Sequence, residues 1–198
     1  MKSPFLLAAL LASVLLPGAA AAHPHIWIDA KPTLRLEGNL LQAIGMRWEF
    51  DELFSDFLLS EFDRDGDGAF DAEETRAVAE EAFAALAEFS WLTHLRVDGA
   101  PVALPGFQGL EVTTSNGLVT YAFELPLPAA VDVTASRVVL SLYDDSFYID
   151  VAIDRNDPVA LAGSPSAACE VALFEDQDNP IYFGLVNPLA ADLRCRVS

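Results

Sequence analysis

The sequence predicts a mainly β fold of the α+β class: an antiparallel β-sandwich carrying one helix–loop–helix insertion at about residues 50–90. Three observations predict it. Short runs rich in β-branched, aromatic and Leu residues alternate in hydropathy along most of the chain, parted by turn signals. One stretch instead repeats its apolar residues at three to four positions, the period of a helix. Inside that stretch, residues 63–74 read DRDGDGAFDAEE, a pattern that sits between two helices.

The chain opens on a targeting pattern. Lys2 supplies a positive start, FLLAALLASVLL an apolar run, Pro17-Gly18 a break and Ala20-Ala21-Ala22 a small-residue cleavage site. The run is too short and wrongly flanked for a stable membrane span. Residues 1–22 are therefore expected to be a cleaved signal peptide and 23–198 a single domain without a span, exported to the periplasm. Eleven Lys and Arg stand against 30 Asp and Glu, a formal net charge of −19. Such a surface attracts cations and repels nucleic acid, and no basic cluster argues otherwise.

HIWIDAKPTLRLEG and NLLQAIGMRWEF read as two strands around a turn at Glu37-Gly38-Asn39. Next, Phe50, Phe54, Phe57, Leu58 and Phe62 fall close to helical spacing, with Asp51 as candidate N-cap. Beyond the aspartate-rich loop, Val78, Ala82, Leu86 and Phe89 repeat on one helical face. Strand patterns then resume: WLTHLRVDG, PVAL, QGLEVTTS and, across a turn at Ser115-Asn116-Gly117, LVTYAFELPL. SRVVLSLYD, FYIDVAID, a Pro/Gly/Ser-rich link at 157–166, CEVALFE and a segment to Cys195 complete the domain.

The loop at 63–74 resembles that of the EF-hand superfamily. Asp63, Asp65 and Asp67 stand at its positions 1, 3 and 5, and Gly68 at the sharp turn. Ala69 would lend its carbonyl, Asp71 would reach the ion through water, and Glu74 would bind with both oxygens. A hard cation such as Ca2+ wants six to eight oxygens, and this loop supplies them. Sensor EF-hands work in pairs that open a Met-rich groove. This chain has one such loop and two Met, so the expectation is a structural Ca2+ site rather than a switch.

Cys169 and Cys195 are the only cysteines, and in an oxidising compartment the plain reading is one disulfide. Thiolate metal ligation is the alternative, but no CxxC or nearby His accompanies them. The three histidines are unevenly placed: cleavage after Ala22 would start the chain His23-Pro24-His25, and His94 lies in a predicted strand. An amino terminus beside the His23 imidazole is a ligand pair for Cu, Ni or Zn. Pro24 has no amide proton, which blocks the full amino-terminal copper/nickel chelate that a third-position histidine would otherwise complete. Imidazoles of His23 and His25 would need His94 or a carboxylate to finish a site. If the first strand runs near that of His94, the histidines meet at one end of the sandwich.

HPHIWIDA, MRWEFDELFS, FDRDGDG, WLTHLRVDG and LSLYDDSFYIDV together, in this order, resemble a family of exported bacterial proteins of unknown function. That family is described as the periplasmic component of an uncharacterised ABC-type transport system. Its members are often encoded beside nickel/cobalt-type permeases. The resemblance implies transition-metal handling (Zn2+, Ni2+, Co2+ or Cu2+), a membrane metal permease as partner, and His23, His25 and His94 as candidate ligands. Asp29 and Asp144 lie in the same shared segments. The expected function is a periplasmic metal-binding accessory with a structural Ca2+ site, not an enzyme. Alternatives are a calcium-stabilised interaction module and, more remotely, an enzyme similar to copper oxygenases that use a histidine brace. No nucleophile elbow, HExxH or phosphate-cradling loop occurs.

Overall fold

The computed structural model describes residues 24–163 and 165–196; the expected signal peptide at 1–22 and His23 lie outside them. Two sheets form the body. The first, in the order β5-β6-β2-β1-β8, contains β1 (Ile26–Glu37), β2 (Leu40–Phe50), β5 (Gln108–Ser115), β6 (Leu118–Asp132) and β8 (Ile149–Ile153), with β9 (Ala160–Ala162) also on β1. The second, in the order β10-β11-β7-β3-β4, contains β3 (Thr93–Val97), β4 (Ala100–Val102), β7 (Val138–Leu142), β10 (Ala168–Glu175) and β11 (Leu189–Arg196). Alternation decides the faces: along β1, Ile28, Ala30, Leu34 and Leu36 are buried while Asp29, Lys31 and Arg35 point to solvent.

The expected antiparallel pairing holds for most of the structure and fails at one place. β8 and β9 both run parallel to β1, pairing Ile26–Ala30 with Ile149–Ile153 and Thr33–Arg35 with Ala160–Ala162. The sheet is therefore mixed. Parallel pairing requires a long crossover, and alternation within single strands carries no sign of it. Within the turn read at Ser115-Asn116-Gly117, Asn116 and Gly117 take positive φ, 52° and 81°, and form a two-residue hairpin turn.

The insertion holds two helical stretches, Glu52–Phe62 and Ala72–Leu92, parted by the aspartate-rich loop. Asp51 caps α1 (Glu52–Phe62): its Oδ1 accepts the Phe54 N–H at 3.0 Å, and its Oδ2 accepts the Trp27 N–H at 2.8 Å. Ser55, fully buried, donates to the Phe50 carbonyl and accepts the Val119 N–H at 3.0 Å, fastening α1 to β6. The second helix departs from the regular repeat. It is α-helical only over α2 (Ala72–Ala77), then a π-helix over Val78–Phe83 and 3₁₀ over Ala84–Leu92. An ideal α-helix would set Val78 and Phe83 about 140° apart; the wider π turn lets both bury. Phe83, rather than Phe89, is the anchor. Its ring meets Trp48, Phe107, Tyr121 and Phe123 edge-on, with centroids 4.7–5.9 Å away, whereas Phe89 is largely exposed. Left-handed backbone at Ser90, Trp91 and Leu92 delays the following strand to Thr93.

Cys169 and Cys195 face each other across β10 and β11 and are disulfide-bonded, as expected. Closing a 26-residue separation contributes about 3 kcal/mol through the unfolded chain's entropy. The bond fits an oxidising compartment. Among the described residues no helix is long and apolar enough to cross a membrane.

Candidate functional site

The aspartate-rich loop is organised by its own backbone. Asp63 Oδ1 accepts the N–H groups of Gly66 and Asp67 at 2.8 and 3.2 Å, and Oδ2 that of Gly68 at 2.9 Å. Asp65 accepts from Asp67 N and Asp67 from Ala69 N. Gly66 and Gly68 take φ of +73° and +81°, which glycine adopts freely. One carboxylate oxygen each from Asp63, Asp65 and Asp67 lies within 4.8 Å of the others. Oxygens about 2.4 Å from a common calcium-sized ion sit no more than about 4.8 Å apart, so the triad has room to share one.

The remaining expected ligands have other partners. Asp71 caps α2, accepting the N–H groups of Glu73 and Glu74 at 2.7 and 2.9 Å. Glu74 is buried; its Oε2 accepts the Asp71 N–H and its Oε1 that of Arg64 at 2.7 Å. That reciprocal capping box starts α2. The triad's electrostatics are divided. The backbone N–H of Gly68, with those of Gly66 and Asp67, holds the Asp63 carboxyl below its usual pKa despite some desolvation. Asp65 receives the Asp67 N–H, yet the Asp67, Glu74 and Asp63 carboxylates together raise its pKa.

The two described histidines rest on one loop, residues 143–148, which joins β7 to β8. His25, just before β1, donates its backbone N–H to the Tyr148 carbonyl at 2.8 Å, with the two ring centroids 4.7 Å apart. His94, on β3, stacks on Tyr143 at 3.7 Å with ring planes 6° apart, and its Nε2 lies 3.1 Å from the Tyr143 carbonyl oxygen. A ring nitrogen facing a carbonyl must carry the proton, so in neutral His94 the Nδ1 keeps the lone pair. Among the described residues, neither histidine joins a cluster of three His, Cys, Asp or Glu ligand atoms; Asp63, Asp65 and Asp67 form the one that occurs. His23 lies outside the described residues.

Asp144 gives the 143–148 loop its shape. Nearly buried, it accepts from Ser146 N and Oγ, Tyr148 N and Ile149 N. Its oxygens are thus engaged by the chain. Asp29 instead faces solvent on β1. Cross-strand packing against the tyrosines, which brings the two histidines to one loop, has no sequence signal stronger than the adjacency of YDDSFY to two strands.

Residues 8–191 match the family described as Protein of unknown function (DUF1007). The chain belongs to this family. A relative, the uncharacterized 15.5 kDa protein in the trpE 3′ region of Spirochaeta aurantia, is 28% identical over 134 residues, covering 68% of this chain and 95% of the relative. In this DUF1007 protein, burial holds the His94 imidazole below its usual pKa, and Arg96 adds to the shift; the Tyr143 carbonyl, Asp145 and Asp144 oppose it. Because the folded-state pKa lies below the unfolded value of about 6.5, the unfolded chain takes up the proton first. His94 therefore adds no penalty above that pH and an increasing one as pH falls through it. The stability gap between the protein and a His94→Gln variant is expected to shrink from pH 7 to pH 5. Urea midpoints measured across that range check it; a constant gap would contradict the buried neutral imidazole.

Proposed function

We propose that this protein is an exported metal-binding accessory of a transition-metal transport system, braced by one structural Ca2+. The observation that carries the reading is that His25 and His94 each rest on a tyrosine of the 143–148 loop, His25 on Tyr148 and His94 on Tyr143. There His94 is held as a neutral imidazole with its Nε2 proton engaged, the form in which an imidazole binds Zn2+, Ni2+, Co2+ or Cu2+. His23, three residues from the start of β1, is the nearest sequence candidate to join them. A membrane metal permease is the partner that fits such a role. The EF-hand-like loop serves a separate purpose. Three carboxylates crowded within 4.8 Å repel one another until a cation shares them, and filling the site would fix the junction of α1 and α2.

Calorimetric titration with Zn2+, Ni2+, Co2+ and Cu2+ in millimolar Ca2+ tests the transition-metal reading. The protein recovered from cells should bind at least one of them about 100-fold more tightly than a His23→Ala/His25→Ala/His94→Ala variant, a loss of about 2.7 kcal/mol for the three imidazole ligands removed. Equal binding by the two proteins would remove the histidines from the function. A calcium-braced interaction module is the second reading, and an uncovered apolar loop at residues 182–185 favours it.

A further inference from the structure

At the end of β7 opposite the 143–148 loop, an acidic protein concentrates positive charge. Arg137 stands just before β7, and Arg194 and Arg196 lie near the end of β11. Alternation along β11 turns Asp192, Arg194 and Arg196 to one face. Between the two arginines, the Cys169–Cys195 disulfide ties β11 to β10, so both are carried on a fixed stretch of backbone. With the turn at 133–136, the three arginines line a groove of about 400 Å³, a volume typical of small-molecule sites.

Asp192 decides how two of these arginines point. Its side chain is 2% exposed, while those of Arg137 and Arg194 are 61% and 55% exposed. Arg137 gives it Nε and Nη2 at 3.1–3.3 Å, and Arg194 the same two nitrogens at 3.0–3.1 Å. Burial alone would raise the Asp192 pKa, but Arg137 and Arg194 outweigh it and hold the carboxyl below its usual value. Each guanidinium thus spends one edge on Asp192 and keeps its Nη1 protons, with the second on Nη2, for another acceptor. Arg196 makes no hydrogen bond or ion pair among the described residues.

Asp192 is the one carboxylate among the residues lining the groove. Glu170, opposite Arg194 in the β10–β11 register, lies outside that lining. Three guanidiniums against one carboxylate leave a local charge of +2, in a chain whose formal net charge is −19. One arginine would neutralise Asp192; the surplus calls for an anion.

We propose that Arg137, Arg194 and Arg196 form a binding site for a phosphate group, free or as a small phosphomonoester. A phosphomonoester carries about −1.5 to −2 charge at pH 7 and three acceptor oxygens on one centre, which suits three guanidiniums and a local charge of +2. A carboxylate offers two oxygens and one charge. The acidic body repels a distant anion, so affinity comes from guanidinium contact rather than long-range attraction. None of the histidines takes part, which keeps the test separate from that of the transition-metal reading.

Calorimetric titration of the protein recovered from cells with inorganic phosphate, glycerol 3-phosphate and malonate tests this, in Ca2+ low enough to avoid precipitation. Both phosphates should bind. Malonate matches the charge but spreads its oxygens over two centres, and should bind ~10-fold more weakly or less, the worth of one charge-assisted hydrogen bond. Arg196→Gln should weaken phosphate binding by a similar ~10-fold. It leaves Asp192 with both partners, so the variant should melt like the parent in phosphate-free buffer. Should it melt lower, the comparison of anions on the unaltered protein decides by itself. Tighter binding of glycerol 3-phosphate than of phosphate would support a groove that also holds the organic arm, and equal binding one that reads the phosphate group alone. Absence of phosphate binding, malonate binding as tight as phosphate, or equal phosphate binding by the Arg196→Gln variant would each overturn the proposal.

Discussion

Adding EGTA is expected to lower the melting temperature by roughly 5–10 °C. A ligand at about 100 times its Kd contributes about 2.7 kcal/mol to the folded state, and a domain of this size moves about 2–4 °C per kcal/mol. The physical source is the triad of Asp63, Asp65 and Asp67, whose oxygens gather within 4.8 Å at the junction of α1 and α2. Asp65→Asn separates a metal effect from a general one. Asp67, Glu74 and Asp63 raise the Asp65 pKa in the fold, so its charged form is disfavoured there when no cation shares the loop. Neutralising it should leave the calcium-free protein as stable or more so, and shrink the calcium-dependent shift. Calorimetric scans of both proteins with Ca2+ and with EGTA provide the measurement. Identical melting of the parent in both buffers would show the loop to be idle.

Arg96→Ala is expected to cost about 3 kcal/mol, because breaking a buried ion pair leaves the other charge unpaired. Arg96, on β3, is hydrogen-bonded to Asp176, and the two side chains are 16% and 4% exposed. Burial alone would raise the Asp176 pKa, but Asn179 and Arg96 outweigh it and hold the carboxyl below its usual value. Without Arg96, the Asn179 amide, at 3.0–3.1 Å, is the side-chain hydrogen-bond partner left to it among the described residues. Urea denaturation of Arg96→Ala, Asp176→Ala and the double variant would show the coupling: the double variant should lose less than the two singles summed. The same substitution removes a cation that depresses His94, so the imidazole should titrate at higher pH, as NMR can follow. Strict additivity would mean that Arg96 and Asp176 act independently.

Local rules made much of this architecture readable. Asp51 as N-cap, Asn116-Gly117 as hairpin turn and the alternation of β1 each depend on neighbours a few residues away, and each is found. The disulfide followed from two cysteines and a compartment. What escaped was set by partners distant in sequence. Phe83, which stood off the helical face read at Val78, Ala82, Leu86 and Phe89, is the anchor because four aromatic rings on β2, β6 and the loop before β5 form its socket, and a π turn was needed to reach it. Asp144, a weaker candidate ligand by the resemblance, is engaged by four donors of its own loop and the start of β8. At the candidate sites, residue types were legible and the geometry of His94 on Tyr143 was not, since stacking depends on how β3 and the 143–148 loop meet.

The parallel seam on β1 also bears on when this protein can fold. Ile26 pairs with Ile149, and Thr33 with Ala160. The first strand thus waits for a segment synthesised more than a hundred residues later, and loop closure over such distances is slow. Until then β1 has only its hairpin with β2. A chain that emerges amino terminus first, and whose opening strand cannot be locked in place early, stays threadable for longer. If the chain is exported unfolded, late closure of its first strand favours translocation over premature folding.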